Sequence, residues 1–196
     1  LWIDTQKGLD LQKPPAEAPE PTEEPAAPQA VAPQTIPLAQ ELQQAAQICA
    51  RAAQVLQSMF SDVRLGRPVE KDSALRLVQD MRLSIQRNPH ALISLARLKT
   101  ADDYTYMHSV AVCALMIALG RQLGLDEELI RKLGIAGLLH DLGKAMMPLE
   151  VLNKPGKLTD EEFALVKTHP EEGHKLLLEG SGVSEVTKDV CLHHHE

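Results

Sequence analysis

Gly137-Leu138-Leu139-His140-Asp141-Leu142-Gly143-Lys144 sets an imidazole beside a carboxylate inside an apolar run. A carboxylate in such surroundings needs a partner or a cation, because burying an unpaired charge is prohibitive. One partner is local: Lys144 lies one helical turn beyond His140, on the same face if the helix continues, and Asp141 could be satisfied by Lys144 or by backbone N–H groups alone. The other candidate is a metal ion, and the doublet alone does not choose between them. The rest of the chain favours the metal: His108, His169 and a closing His193-His194-His195-Glu196 place more ligand-type side chains on other segments. Gly143 adds a position where backbone can approach closely. Segments so far apart in sequence can share a centre only through a fold, and a mixed His and carboxylate set of this kind suits metal-assisted hydrolysis.

Working outward, the apolar spacing is helical throughout. Leu38, Leu42, Ala45, Ala46, Cys49, Ala53, Leu56 and Phe60 form a stripe at three-and-four spacing that Gly66-Arg67-Pro68 ends. A second helix is expected from about Lys71 to Arg87 with Leu75, Val78, Met81 and Ile85 inward, and Asn88-Pro89 reads as an N-cap followed by proline at the first helical position. These two helices could pair copies of the chain, although the simpler reading packs them on the helices that follow. A long helix from Asp103 to Leu123 carries His108, and another from about Asp126 leads to His140. Pro148 and Asn153-Lys154-Pro155-Gly156 mark a loop, and Thr159-Asp160-Glu161-Glu162 fits a capping box opening a helix toward His169. Pro170 or Glu171 opens the next, Gly180-Ser181-Gly182 breaks it, and residues 183–196 make a last helix ending in the histidines. No strand-like alternation of any length is present, so the fold class is all-α, a multi-helix bundle.

Composition sets limits. The net charge of -7 argues against a nucleic-acid polymer as partner, and an anionic substrate must be attracted by local cations. Cys49, Cys113 and Cys191 are odd in number and show no paired spacing, which suits small core residues in a reducing compartment. No apolar run is long enough for a membrane helix and no signal peptide is visible, so the fragment reads as cytoplasmic with no membrane partner. Residues 14–37 hold eight of the thirteen prolines, interleaved with Ala, Glu and Gln, a composition that cannot build a core and reads as a disordered, semi-rigid linker.

Five segments in order carry a resemblance: Tyr104-Thr105-Tyr106-Met107-His108-Ser109; Leu139-His140-Asp141-Leu142-Gly143-Lys144; Pro148 with Leu152-Asn153-Lys154-Pro155-Gly156-Lys157-Leu158-Thr159; Thr168-His169-Pro170 with Gly173; and His194-His195-Glu196. Together they resemble the motifs of HD-GYP domains. The resemblance implies an HD-superfamily helical bundle and a metal-dependent phosphodiesterase that hydrolyses cyclic di-GMP to pGpG or GMP. By the same resemblance His108, His140, Asp141, His169, His194 and His195 are metal ligands, with Asp141 bridging two divalent ions. Lys144 joins Asp141 in the catalytic set by neutralising a phosphate oxygen. Ligation by nitrogen and oxygen without cysteine suits iron or manganese better than a structural zinc site. His90, His174 and His193 fall outside the motifs, and Glu196 is read as orienting a ligand histidine.

Two departures bear on the expectation. Relatives with a third metal carry glutamate four residues before the first ligand histidine, where this chain has Tyr104, a poor ligand for a hard metal at neutral pH, so two metals are expected. The Gly-Tyr-Pro segment and a later aspartate of the family do not occur by Glu196, so the sequence reads as a truncated copy that is inactive by itself. Residues 1–13 resemble the tail of a domain of unknown function found ahead of HD-GYP domains. The resulting organisation is that tail, the linker 14–37, a helical lead-in 38–100, and the first part of the phosphohydrolase domain at 101–196. The competing readings are a general HD-type nucleotide phosphohydrolase and a catalytically dead HD signalling scaffold.

Overall fold

Residues 36–97, 104–180 and 182–196, the side chain of Tyr104 excepted, are described by the structure, a computed structural model. The expected tail at 1–13 and all but the end of the proline-rich stretch 14–37 lie outside them, as does the side chain on which the two-metal expectation turned. Among the described residues all regular structure is helical: α1 (Leu38–Arg64), α2 (Lys71–Arg87), α3 (Pro89–Ala96), α4 (Tyr104–Gln122), α5 (Glu127–Leu139), a 3-10 turn (Leu142–Met146), α6 (Leu149–Leu152), α7 (Asp160–Val166), α8 (His169–Glu179) and α9 (Glu185–His193).

Local chemistry sets most of these boundaries. The Asn88 side chain accepts the His90 N–H at 3.1 Å while Pro89 opens α3. Asp126 caps α5 through the Leu129 N–H at 2.8 Å, and Ser184 caps α9 through that of Thr187 at 3.2 Å. At α7 the capping box closes in both directions: Thr159 Oγ1 accepts from the Glu162 N–H, and the Glu162 carboxylate accepts from the Thr159 N–H.

The lead-in helices do not stand apart. Leu56, Met81, Leu92, Ile117 and Leu138, from five different helices, are all buried in one continuous core, and Phe60 of α1 meets Tyr106 of α4 edge to face at 5.3 Å. Helix α5 approaches its neighbours through glycines. A Cβ at Gly137 would stand 2.8 Å from Met116 Sδ and 3.0 Å from the Cys113 backbone, and one at Gly134 would stand 2.7 Å from Val78 Cγ1. This close packing brings His108 on α4 beside His140 at the end of α5.

One stripe differs from expectation. The buried face of α1 contains Ala45, Cys49, Leu56 and Phe60, but also Glu41, Ile48, Ala52, Met59 and Val63, whereas Leu38 and Ala46 are exposed. The cause is a carboxylate that hydropathy assigns to solvent. Glu41 is wholly buried because Arg87 of α2 donates from Nε to Oε2 at 2.7 Å and from Nη2 to Oε1 at 2.8 Å, and Ser84 Oγ donates to Oε1 at 2.6 Å. Burial pushes Glu41 up, and the hydrogen bonds from Arg87 and Ser84 more than reverse it, leaving the acid below its ordinary range.

Candidate metal centre

Helix α5 ends at Leu139, so His140 is its C-cap and Asp141 starts the 3-10 turn; the helix does not continue to carry Lys144 onto one face with His140. The tighter turn instead bends Lys144 back, and its Nζ donates to Asp141 Oδ2 at 2.7 Å. Gly143 permits this turn to lie against α8. A Cβ there would fall 1.8 Å from the His169 carbonyl oxygen and 2.5 Å from the Gly173 nitrogen. The glycine thus sets the α5 end directly on the start of α8.

Three of the histidines occupy equivalent places. His140 and His194 follow the last turns of α5 and α9, and His169 follows that of α7. Each presents Nδ1 to the carbonyl three residues earlier: His140 to Gly137 at 2.9 Å, His169 to Val166 at 2.6 Å and His194 to Cys191 at 2.9 Å. Carbonyls in a final helical turn lack an intrahelical donor, and a carbonyl can only accept. Each Nδ1 must therefore carry hydrogen, which leaves Nε2 of a neutral ring as a bare lone pair.

Those lone pairs converge on Asp141, itself 1% exposed. Oδ2 lies 3.3 Å from His140 Nε2 and 3.9 Å from His108 Nε2, while Oδ1 lies 3.2 Å from His169 Nε2 and 3.6 Å from His194 Nε2. His195 completes the second side, its ring 4.2 Å from that of His194 and 5.1 Å from that of His169. Two triads of possible ligands result: His108, His140 and Asp141, and His169, His194 and His195. The five histidines expected from the sequence as ligands are thus gathered around the sixth residue of that set, Asp141. His90 is exposed, His174 half-buried, and His193 points its Nδ1 at Asp189.

The donor set fits divalent ions. His169 Nε2 and His194 Nε2 face each other at 3.1 Å, an arrangement of two lone pairs that repels unless a proton or a metal cation lies between. Asp141 Oδ1, buried beside them, has no hydrogen-bond donor. With metal–nitrogen bonds of about 2.1 Å, ligands at right angles on one ion sit about 3 Å apart, which matches these separations. Burial pushes the Asp141 carboxyl up, and positive charge or N–H donation on the His140, His169 and His194 side more than reverses that and holds it well below the usual carboxylate range; with those nitrogens bare, a bound cation would have to supply that charge.

Sequence reasoning missed the supporting cast. Cys191 donates its S–H to the His140 carbonyl at 3.4 Å while its own carbonyl holds His194, so one residue ties α9 to the end of α5. Burial and the nearby Asp141 charge push its thiol up to about 12, so it remains a neutral donor. The orienting partners of the His140, His169 and His194 rings are backbone carbonyls, and Glu196 is exposed. The available signal was a carbonyl in a closing helical turn three residues before each of these histidines, which only the helix boundaries reveal.

Comparison with known proteins places the chain in a family. Residues 82–196 match the HD domain family, and residues 1–74 match the Domain of unknown function (DUF3391). A cyclic di-GMP phosphodiesterase of Pseudomonas aeruginosa is 52% identical over 199 residues, covering 100% of this chain and 47% of that protein. The cyclic di-GMP phosphodiesterase response regulator RpfG of Xanthomonas campestris pv. campestris is 37% identical over 125 residues, 62% of this chain and 32% of that protein. A 3'3'-cGAMP-specific phosphodiesterase of Vibrio cholerae is 36% identical over 93 residues, 47% of this chain and 22% of that protein. The chain therefore spans about half the length, or less, of these relatives. No solved structure matches it. No helix among the described residues is long and apolar enough to cross a membrane.

Proposed function

Because the chain belongs to the HD domain family, we propose that it contributes the metal centre of a phosphodiesterase that hydrolyses cyclic di-GMP to pGpG or GMP. The observation that carries this is Asp141: a buried, ionised carboxylate with one oxygen toward each histidine group and its Oδ1 without a donor. His108 and His140 would hold one ion with Oδ2, and His169, His194 and His195 the other with Oδ1. Nitrogen and oxygen donors without thiolate favour iron or manganese. Such ions supply a water of lowered pKa and positive charge against the phosphodiester.

The chain's own residues do the positioning. The carbonyls of Gly137, Val166 and Cys191 keep three rings in one tautomer, so no ligand must reorient before use. Lys144, partly open to solvent beside Asp141, is the cation nearest the centre and would meet a non-bridging phosphate oxygen as charge builds there. In this reading residues 101–196 form the first part of the catalytic domain and 38–100 a helical lead-in, in a bacterial cytoplasmic protein acting as one copy or two.

Cyclic di-GMP is preferred to 3'3'-cGAMP because the relative that is 52% identical over the whole chain is named for it. The test is turnover by the full-length protein loaded with iron or manganese, offered cyclic di-GMP, 3'3'-cGAMP and a nucleoside triphosphate. Preference for cyclic di-GMP supports the reading. Comparable turnover of the triphosphate would make it a general nucleotide phosphohydrolase, and no turnover with the metals bound would make it a scaffold.

A further inference from the structure

A cavity lies behind α5, bounded by the start of α2 and the beginning of α9. Its walls are aliphatic: Val69 and Leu75 on one side, Ile135 and Leu139 on α5, Val183 on the third. Around them stand Lys71, Arg131 and Lys132 against a single acid, Glu128. Glu128 already lies against both Arg131 and Lys132, so it cancels one of three charges and leaves a local excess of two, in a chain whose net charge is -7. A cationic rim on an apolar floor, set against the field of the whole chain, selects an anion with an apolar body.

The space measures about 150 Å³. A cavity of about that size accommodates one benzene ring, so it could not enclose a whole cyclic dinucleotide. The location is also informative: Val69 and Lys71 lie within the stretch that matches the domain of unknown function, and Ile135, Leu139 and Val183 within the HD domain match. Ligand sites favour such junctions. Leu139 is followed directly by the ligand histidine His140, and Thr187, 1% exposed on the cavity wall, is on the helix that ends at His194. We propose that this junction cavity is a binding site for a small amphipathic anion, a single ring or short alkyl body bearing one phosphate or carboxylate.

Methyl NMR of the full-length, metal-loaded protein tests it, using phenyl phosphate, benzoate, inorganic phosphate and benzyl alcohol as probes. Saturable shifts at the methyls of Val69, Leu75, Ile135 and Val183 are expected with phenyl phosphate or benzoate, the tighter of the two naming the anionic group. Inorganic phosphate and benzyl alcohol each supply half of the recognition and should bind about tenfold more weakly or less. Leu75→Trp fills the cavity and should abolish the shifts. Lys71→Met, at the half-exposed rim where the fold is not at stake, should weaken binding at least about threefold. Shifts confined to residues around His108 and His140, drift without saturation, or undiminished binding in Lys71→Met would overturn the proposal.

Discussion

His169 and His194 turn the same ring nitrogen, Nε2, toward each other at 3.1 Å, while each commits Nδ1 to the carbonyl of a finished helical turn. Two neutral rings held this way repel at their contact. A cation between them turns that repulsion into attraction, so the fold holds this contact in readiness for a positive charge.

Metal removal should therefore be felt as lost stability. With free metal at 100 times its dissociation constant, binding to the folded state alone adds about 2.7 kcal/mol. Stripping the full-length protein with a chelator should lower its melting temperature by several degrees, and manganese should restore it. Elemental analysis of anaerobically purified protein should approach two metals per chain; a reproducible three would show another group standing in for the carboxylate absent at Tyr104.

Asp141→Asn should reduce cyclic di-GMP turnover by more than about 100-fold and lower metal content, because an amide cannot offer an anionic oxygen to each of two cations. Near-normal turnover by a metal-replete variant would remove Asp141 from the centre.

Gly143→Ala should destabilise by about 3 kcal/mol or shift α8, since the new methyl would meet the His169 carbonyl and the Gly173 nitrogen, both backbone. Gly156→Ala is the control: its φ of 108° strains any side chain, but the space around it is open, so it should cost only about 1 kcal/mol. Denaturant titration of both variants distinguishes crowding from backbone strain.

The Glu41–Arg87 pair gives a pH signature. Glu41 has its folded pKa below the unfolded value, so its stabilisation is present above the ordinary glutamate range and is lost as pH falls through the folded pKa. The deficit of Glu41→Gln should therefore shrink on acidification below about pH 4.5. Arg87→Met should cost more, about 3 to 5 kcal/mol at neutral pH, because it strands a wholly buried carboxylate, whereas Arg87 keeps access to water. A deficit for Glu41→Gln that is flat in pH would show that the pair's charge contributes nothing.

Much of this was legible in the chain. The caps at Asn88, Asp126 and Thr159 are local events between a side chain and an N–H two or three residues on, and their residue types announce them. The six candidate ligand residues were named through the ordered motifs. What stayed hidden depended on distant partners. Glu41 is buried because of Arg87, 46 residues away, and Cys191 matters because it reaches His140, 51 residues away. The switch from α-helix to a 3-10 turn after Leu139 was hidden too, because it follows from how Gly143 fits against α8.

The three ring-orienting carbonyls have a consequence for which changes the centre can tolerate. A backbone acceptor is not lost when the side chain at Val166 or Cys191 is replaced, whereas Gly137 has no room for one, so what specifies ring orientation is where each helix stops. Removing one residue from the middle of α9 would turn His194 by about 100° about the helix axis and carry it off Asp141, whatever the remaining sequence. Orientation at this centre is thus encoded in helix length, and single-residue insertions and deletions in α5, α7 and α9 should be far more disabling than most exchanges at the carbonyl-bearing positions themselves.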